Sequence, residues 1–122
     1  MADLEALSRE IAATSDAWVG SGVEALQDGT LLRICVIDRP GDPGTLHGMN
    51  RFGCVVRWQK GADMRPNLAD PVTVNSLLGA GSVWQSLICN EFTARIADAA
   101  TFSPDRTEAI CRAWIAAYKG DQ

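Results

Sequence analysis

The chain has 122 residues, 47% hydrophobic and 21% charged, with a formal net charge of −4. That length suits one domain around one core, and the composition excludes a disordered or collagen-like chain. The acid excess argues against a surface that neutralises nucleic-acid phosphates, which needs clustered Lys and Arg. The opening Met1-Ala-Asp-Leu-Glu5 lacks the basic and apolar regions of a secretion signal, and no apolar run approaches the roughly 18 residues of a membrane-spanning helix. A soluble, cytoplasmic protein with no membrane partner is expected.

In residues 3–13, Leu4, Leu7 and Ile11 form one stripe with Glu5, Arg9 and Glu10 around the rest, which predicts an amphipathic helix. Residues 14–27 carry conflicting signals: Ser21 and Glu24 have capping-box spacing, while Gly20 and Gly22 weaken any helix there. Asp28-Gly29 marks a tight turn, and residues 30–38 are apolar on both faces, as a central strand is. Two prolines and three glycines in residues 39–50 predict a loop. Residues 52–58 read as a second strand, antiparallel to the first because the connection lacks a crossover helix, and residues 59–67 as another loop.

Asp70-Pro71 supplies an N-cap and a first-turn proline for a short helix stopped by Gly79. Ser82 to Gln85 has capping-box spacing, and Trp84, Ile88, Phe92 and Ile96 recur every four residues. That pattern predicts a helix over 83–98, with a strand through 83–89 as the alternative. In the last segment Ser103 caps, Pro104 lies in the first turn, Asp105 and Glu108 face the positive dipole end, and Gly120 stops the helix. Its apolar stripe is Ile110, Ala113, Trp114 and Ala117. The expected fold is a single compact α+β domain over residues 1–122: a small antiparallel sheet packed by three to four helices in a single layer on one face, with a C-terminal helix.

Chemistry is harder to find. His47 is the sole histidine, so any imidazole mechanism must run through the 39–50 segment. A Cys54–His47 pair oriented by Asp38 or Asp42 has only generic spacing, and an exposed histidine beside a core cysteine is the simpler reading. Cys35, Cys54, Cys89 and Cys111 are widely spaced within apolar stretches, as buried reduced thiols are. Zinc through Cys35, His47 and Cys54 lacks the closely spaced ligand pairs of structural sites. Gly41-Asp-Pro-Gly44-Thr45 lacks the lysine and following helix of a phosphate-binding loop. No cofactor or metal is expected. Arg51, Arg57, Lys60 and Arg65 interleave with Phe52 and Trp58, but strand alternation sends Arg57 and Trp58 to opposite faces, against a coherent stacking platform for nucleic acid.

Elimination favours a non-catalytic protein-interaction domain, of the immunity or antitoxin type that neutralises a toxic partner. Residues 1–42 hold eight acids against three arginines, a charge asymmetry suited to a basic toxin domain. The expected partner-binding residues are Asp16, Trp18, Glu24, Asp28, Asp38, Asp42 and His47. The alternatives are a small enzyme or ligand-binding domain using residues 39–50 with His47 and Cys54 at its mouth, and an accessory chaperone or subunit that binds a hydrophobic partner segment.

Overall fold

A computed structural model describes residues 3–39, 42–59, 61 and 63–119, with residues 36–39 and 42–45 followed in the backbone only. Asp3 caps the first helix, α1 (Leu4–Thr14), its carboxylate accepting from the Ala6 N–H at 3.1 Å, and the predicted stripe buries Leu7 and Ile11. A 3₁₀ turn at Asp16–Trp18 leads into β1 (Glu24–Gln27) and β2 (Thr30–Arg39). Asp28 and Gly29 both take positive φ, 51° and 79°, which is what a two-residue hairpin of the right twist requires. The chain continues through β3 (Asp42–Asn50), β4 (Val55–Gln59) and β5 (Arg65–Pro66), giving a five-stranded antiparallel sheet of order β4-β3-β2-β1-β5. After α2 (Pro71–Leu78) come β6 (Ser82–Gln85), β7 (Phe92–Ile96) and β8 (Ala99–Ser103), a second antiparallel sheet in chain order, and then α3 (Arg106–Lys119).

The α+β expectation holds, with three α-helices among the described residues. The expected loop over residues 59–67 contains the short strand β5, which pairs with β1, and two longer segments also differ from the sequence reading. Residues 39–50 are largely the strand β3 and not a loop. Gly48 there is a packing glycine: a Cβ would strike the Arg33 carbonyl and the Leu32 side chain across the β2–β3 ladder. β4 therefore pairs with β3 instead of β2, Leu46 facing Trp58 and Met49 facing Val55. Cys35 sits in a register shift between Ile34 and Val36, which lets β2 keep Ile34 opposite Gly48 and Val36 opposite His47.

The second difference is residues 83–98, which form the β6–β7 hairpin and not a helix. The every-fourth stripe is dispersed: Trp84 and Ile88 are exposed while Ile96 is buried. Asn90 and Ala97, at φ 55° and 52°, make the turns that end β6–β7 and β7–β8, and the β-branched and aromatic residues between them favour the sheet. In residues 14–27, Ser21 donates to the Cys35 carbonyl at 3.0 Å, so the apparent capping box belongs to strand packing.

α2 matches its sequence signals, Asp70 accepting from the Thr73 N–H at 3.1 Å and Gly79 closing the helix. α3 starts later than expected, because Ser103 ends β8 and Asp105 is the residue that accepts from the Glu108 N–H. Gly120 lies outside the described residues. Ile110, Ala113 and Trp114 join Leu7, Ile11, Ala25, Ile34, Leu46, Ala94 and Ile96 in one core. Burying Ile110 or Trp114 contributes about 1.5–3 kcal/mol each, against about 0.2–0.5 for the exposed Glu108–Arg112 pair. Trp114 also stacks on Tyr118 with ring centroids 4.3 Å apart.

One polar network ties the large sheet to α2. Arg33 on β2 donates to Asp70 at 2.6 Å, to Glu24 at 3.2 Å and to the Gly22 carbonyl at 2.9 Å. Asn67 donates to the other Glu24 oxygen at 2.6 Å. The buried Thr73 hydroxyl donates to Asp70 and accepts from the Glu24 N–H. Arg33 holds the Asp70 carboxyl below its ordinary value, and hydrogen bonds from Thr73 add to that effect against the opposing influence of burial.

Candidate functional site

The acids expected at a partner surface are spread over the 3₁₀ turn, the β1–β2 turn, the Arg33 network and the β2–β3 pair. Asp16 is exposed on the 3₁₀ turn and Asp28 on the β1–β2 turn, whereas Glu24 is half-buried and spent on Arg33 and Asn67. Asp38 and Asp42 lie on β2 and β3, with side chains outside the described residues. Trp18 is a core residue, only 2% exposed, and so does not form the surface anchor expected from the sequence. Its indole N–H is buried and finds no acceptor among the described residues.

His47 and Cys54 do not share a site mouth. His47 pairs across the ladder with Arg57, while Cys54 lies beyond Val55 at the β3–β4 turn, where its carbonyl accepts from the Asn50 N–H. Antiparallel alternation puts His47, Met49, Val55 and Arg57 on one face and the residues between them on the other. Cys35, Cys54 and Cys89 are exposed, contrary to the expectation of core thiols; Cys111 alone is buried, and burial raises its pKa to about 12. Among the described residues, no three His, Cys, Asp or Glu side chains gather as a metal-holding group, and no helix is long and apolar enough to cross a membrane.

The structure instead assembles apolar surface where the sequence showed a mixed cluster. β4 is an edge strand with no described strand on its far side. Because Asn50 and Cys54 form a hydrogen-bonded pair, alternation turns the N–H and C=O of Val55, Arg57 and Gln59 outward along that edge. Val55 is 69% exposed, its cross-strand neighbour Met49 is 44% exposed and Phe52 at the turn is 76% exposed. The Arg51 guanidinium lies 5.1 Å from the Phe52 ring centre. Trp58 points inward against the core and Arg57 outward, as strand alternation predicted. Arg65, on β5 at the opposite edge of the sheet, lies 3.8 Å from Glu5 of α1 and does not belong to this cluster. Lys60 lies outside the described residues.

No protein-family model, curated protein or solved structure matches the chain. Function must therefore be read from surfaces. A second candidate is a cleft of about 570 Å³ where α3 and the α2–β6 turn meet the end of β7, lined by Trp18, Ser82, Arg95, Ala97, Trp114 and Tyr118 among others. Sequence reasoning missed it because its walls come from four separated segments. The open edge of β4 was legible in principle from the alternation of residues 55–59, once residues 42–50 were read as the strand inside it.

Proposed function

We propose that this chain is a non-catalytic protein-interaction domain that takes an extended, apolar segment of another protein as an added strand on β4. The observation that carries the reading is the β4 edge, which has no described strand on its far side, with exposed Val55 beside Met49 and Phe52. Natural edge strands are usually covered, charged or broken, since an open apolar edge pairs with whatever strand it meets. In strand addition the main chain provides affinity and alternate side chains provide selectivity. A segment with apolar residues opposite Val55 fits. The three exposed thiols suit a reducing cytoplasm.

This is the activity of an accessory chaperone or subunit, and also of an immunity or antitoxin protein whose partner is a toxin. The acidic surface expected for a basic toxin has Glu24 already engaged, so the apolar edge is the better basis for binding. Val55→Pro tests the reading. It removes an outward N–H without removing a β3–β4 ladder bond, so the fold should persist while the added strand is lost. Partner capture from native cells should succeed with the natural chain and fail with Val55→Pro. Hydrogen exchange of the recovered complex should show new protection at Val55 and Gln59. Equal capture by both chains, or protection elsewhere only, would refute it, and sequencing the captured protein distinguishes a toxin from a client or subunit.

A further inference from the structure

The outer face of the three-stranded sheet carries a pattern that matches itself. Trp84 pairs with Thr93 and Thr93 with Phe102, so these residues form one row across β6, β7 and β8. The row faces away from the core: Trp84 is 50% and Phe102 67% exposed, while Ala94, one residue along, is fully buried. Along β7 and the residue that leads into it, whose carbonyl accepts from the Ser86 N–H, the same face reads Glu91, Thr93, Arg95, an acid and a base about 13 Å apart with Thr93 midway. Beyond Glu91 the hairpin tip presents Leu87 and Ile88, both essentially fully exposed.

We infer that this face pairs with the same face of a second copy of the chain, about a two-fold axis that crosses the strands at Thr93. That operation lays Trp84 on Trp84 of the partner subunit and Phe102 on Phe102 of the partner subunit. It sets Glu91 against Arg95 of the partner subunit, twice. A two-fold axis running along β7 would instead oppose like charges. Isologous contact of this kind needs one self-complementary patch and closes after two copies.

The geometry also places the tips. From the Trp84–Thr93 level, Leu87 lies three residues along β6 and Ala97 four residues the other way along β7, or about 10 and 13 Å at the strand rise. Each tip thus arrives at the level of Ala97 of the partner subunit. The exposed parts of Trp84, Phe102, Leu87 and Ile88 amount to roughly 500–600 Å² per copy, and the polar rim brings this toward the about 800 Å² per partner of a stable interface. β4 belongs to the other sheet, so this pairing stands apart from the strand-addition reading.

Sedimentation equilibrium of the full chain tests the inference. The natural chain is expected to sediment as a dimer. Glu91→Arg and Arg95→Glu should each weaken dimerisation at least tenfold, because each sets like charges against one another twice. The double variant Glu91→Arg with Arg95→Glu should restore it. Circular dichroism verifies the fold in each variant, and Phe102→Asp, at an exposed position, provides a second disruption. Val55→Pro should leave the dimer intact. A monomeric natural chain, a dimer that survives both single charge reversals, a double variant as weak as the singles, or a dimer lost in Val55→Pro would each overturn the pairing.

Discussion

The Asp70 carboxylate performs two tasks that substitution can separate. It caps α2, accepting from the Thr73 N–H at 3.1 Å, and it bonds Arg33 at 2.6 Å. Asp70→Asn keeps a good capping group and removes the charge. Hydrogen bonds to charged partners are worth about 1.5–3 kcal/mol, and the lower end applies because Arg33 retains contact with water. A loss of about 1.5–2 kcal/mol is expected for Asp70→Asn, and about 1 kcal/mol more for Asp70→Ala, which also removes the cap. Urea unfolding followed by tryptophan fluorescence near neutral pH reads both values. Asp70 titrates below its ordinary value of 3.8 in the folded chain, chiefly through the Arg33 hydrogen bond. Its stabilisation is therefore fully present above that value and is lost as pH falls through the lowered one. The gap between the natural chain and Asp70→Asn should accordingly close in acid. A gap under about 0.5 kcal/mol at neutral pH, or one unchanged in acid, would refute the assignment.

Trp114→Ala should destabilise by about 3–5 kcal/mol in the same assay, since the side chain is almost wholly buried and stacked on Tyr118. Gly48→Ala should lower the unfolding free energy by about 1–3 kcal/mol, because the added methyl meets the Arg33 backbone and cannot be relieved by a side-chain rotation. Thiol titration with Ellman's reagent should label Cys35, Cys54 and Cys89 promptly in the folded chain. Cys111, buried and with its pKa raised to about 12, should react only on unfolding.

Where local chemistry decides structure, the sequence was readable. Asp70-Pro71, the Asp28-Gly29 turn and the Ile110–Trp114 stripe each act within a few residues, and each is found in its expected role. β3 was hidden because its glycines and proline read as loop chemistry, while the reason for Gly48 is the close approach of β2. β6 and β7 were hidden by a four-residue recurrence that a sheet also accommodates. The candidate site was legible only in part. Phe52 and Arg57 stood out, but the exposure of Val55 depends on which strand lies beside it, and Trp18 looked available until the fold enclosed it.

The packing of α1 against α3 has a consequence for how the chain comes to be made. α1 ends at Thr14 and the helix it meets begins at Arg106. At translation speeds of about 5–20 residues per second, the part of the α1 apolar stripe that α3 covers waits roughly 5–20 s for its partner. During that interval the β1–β2 hairpin can close and β5 can reach α1, but the part of the stripe that meets α3 stays open to water, chaperones or other nascent chains. Substitutions that strengthen α3 should therefore raise the yield of folded protein less than those that keep α1 soluble while it waits.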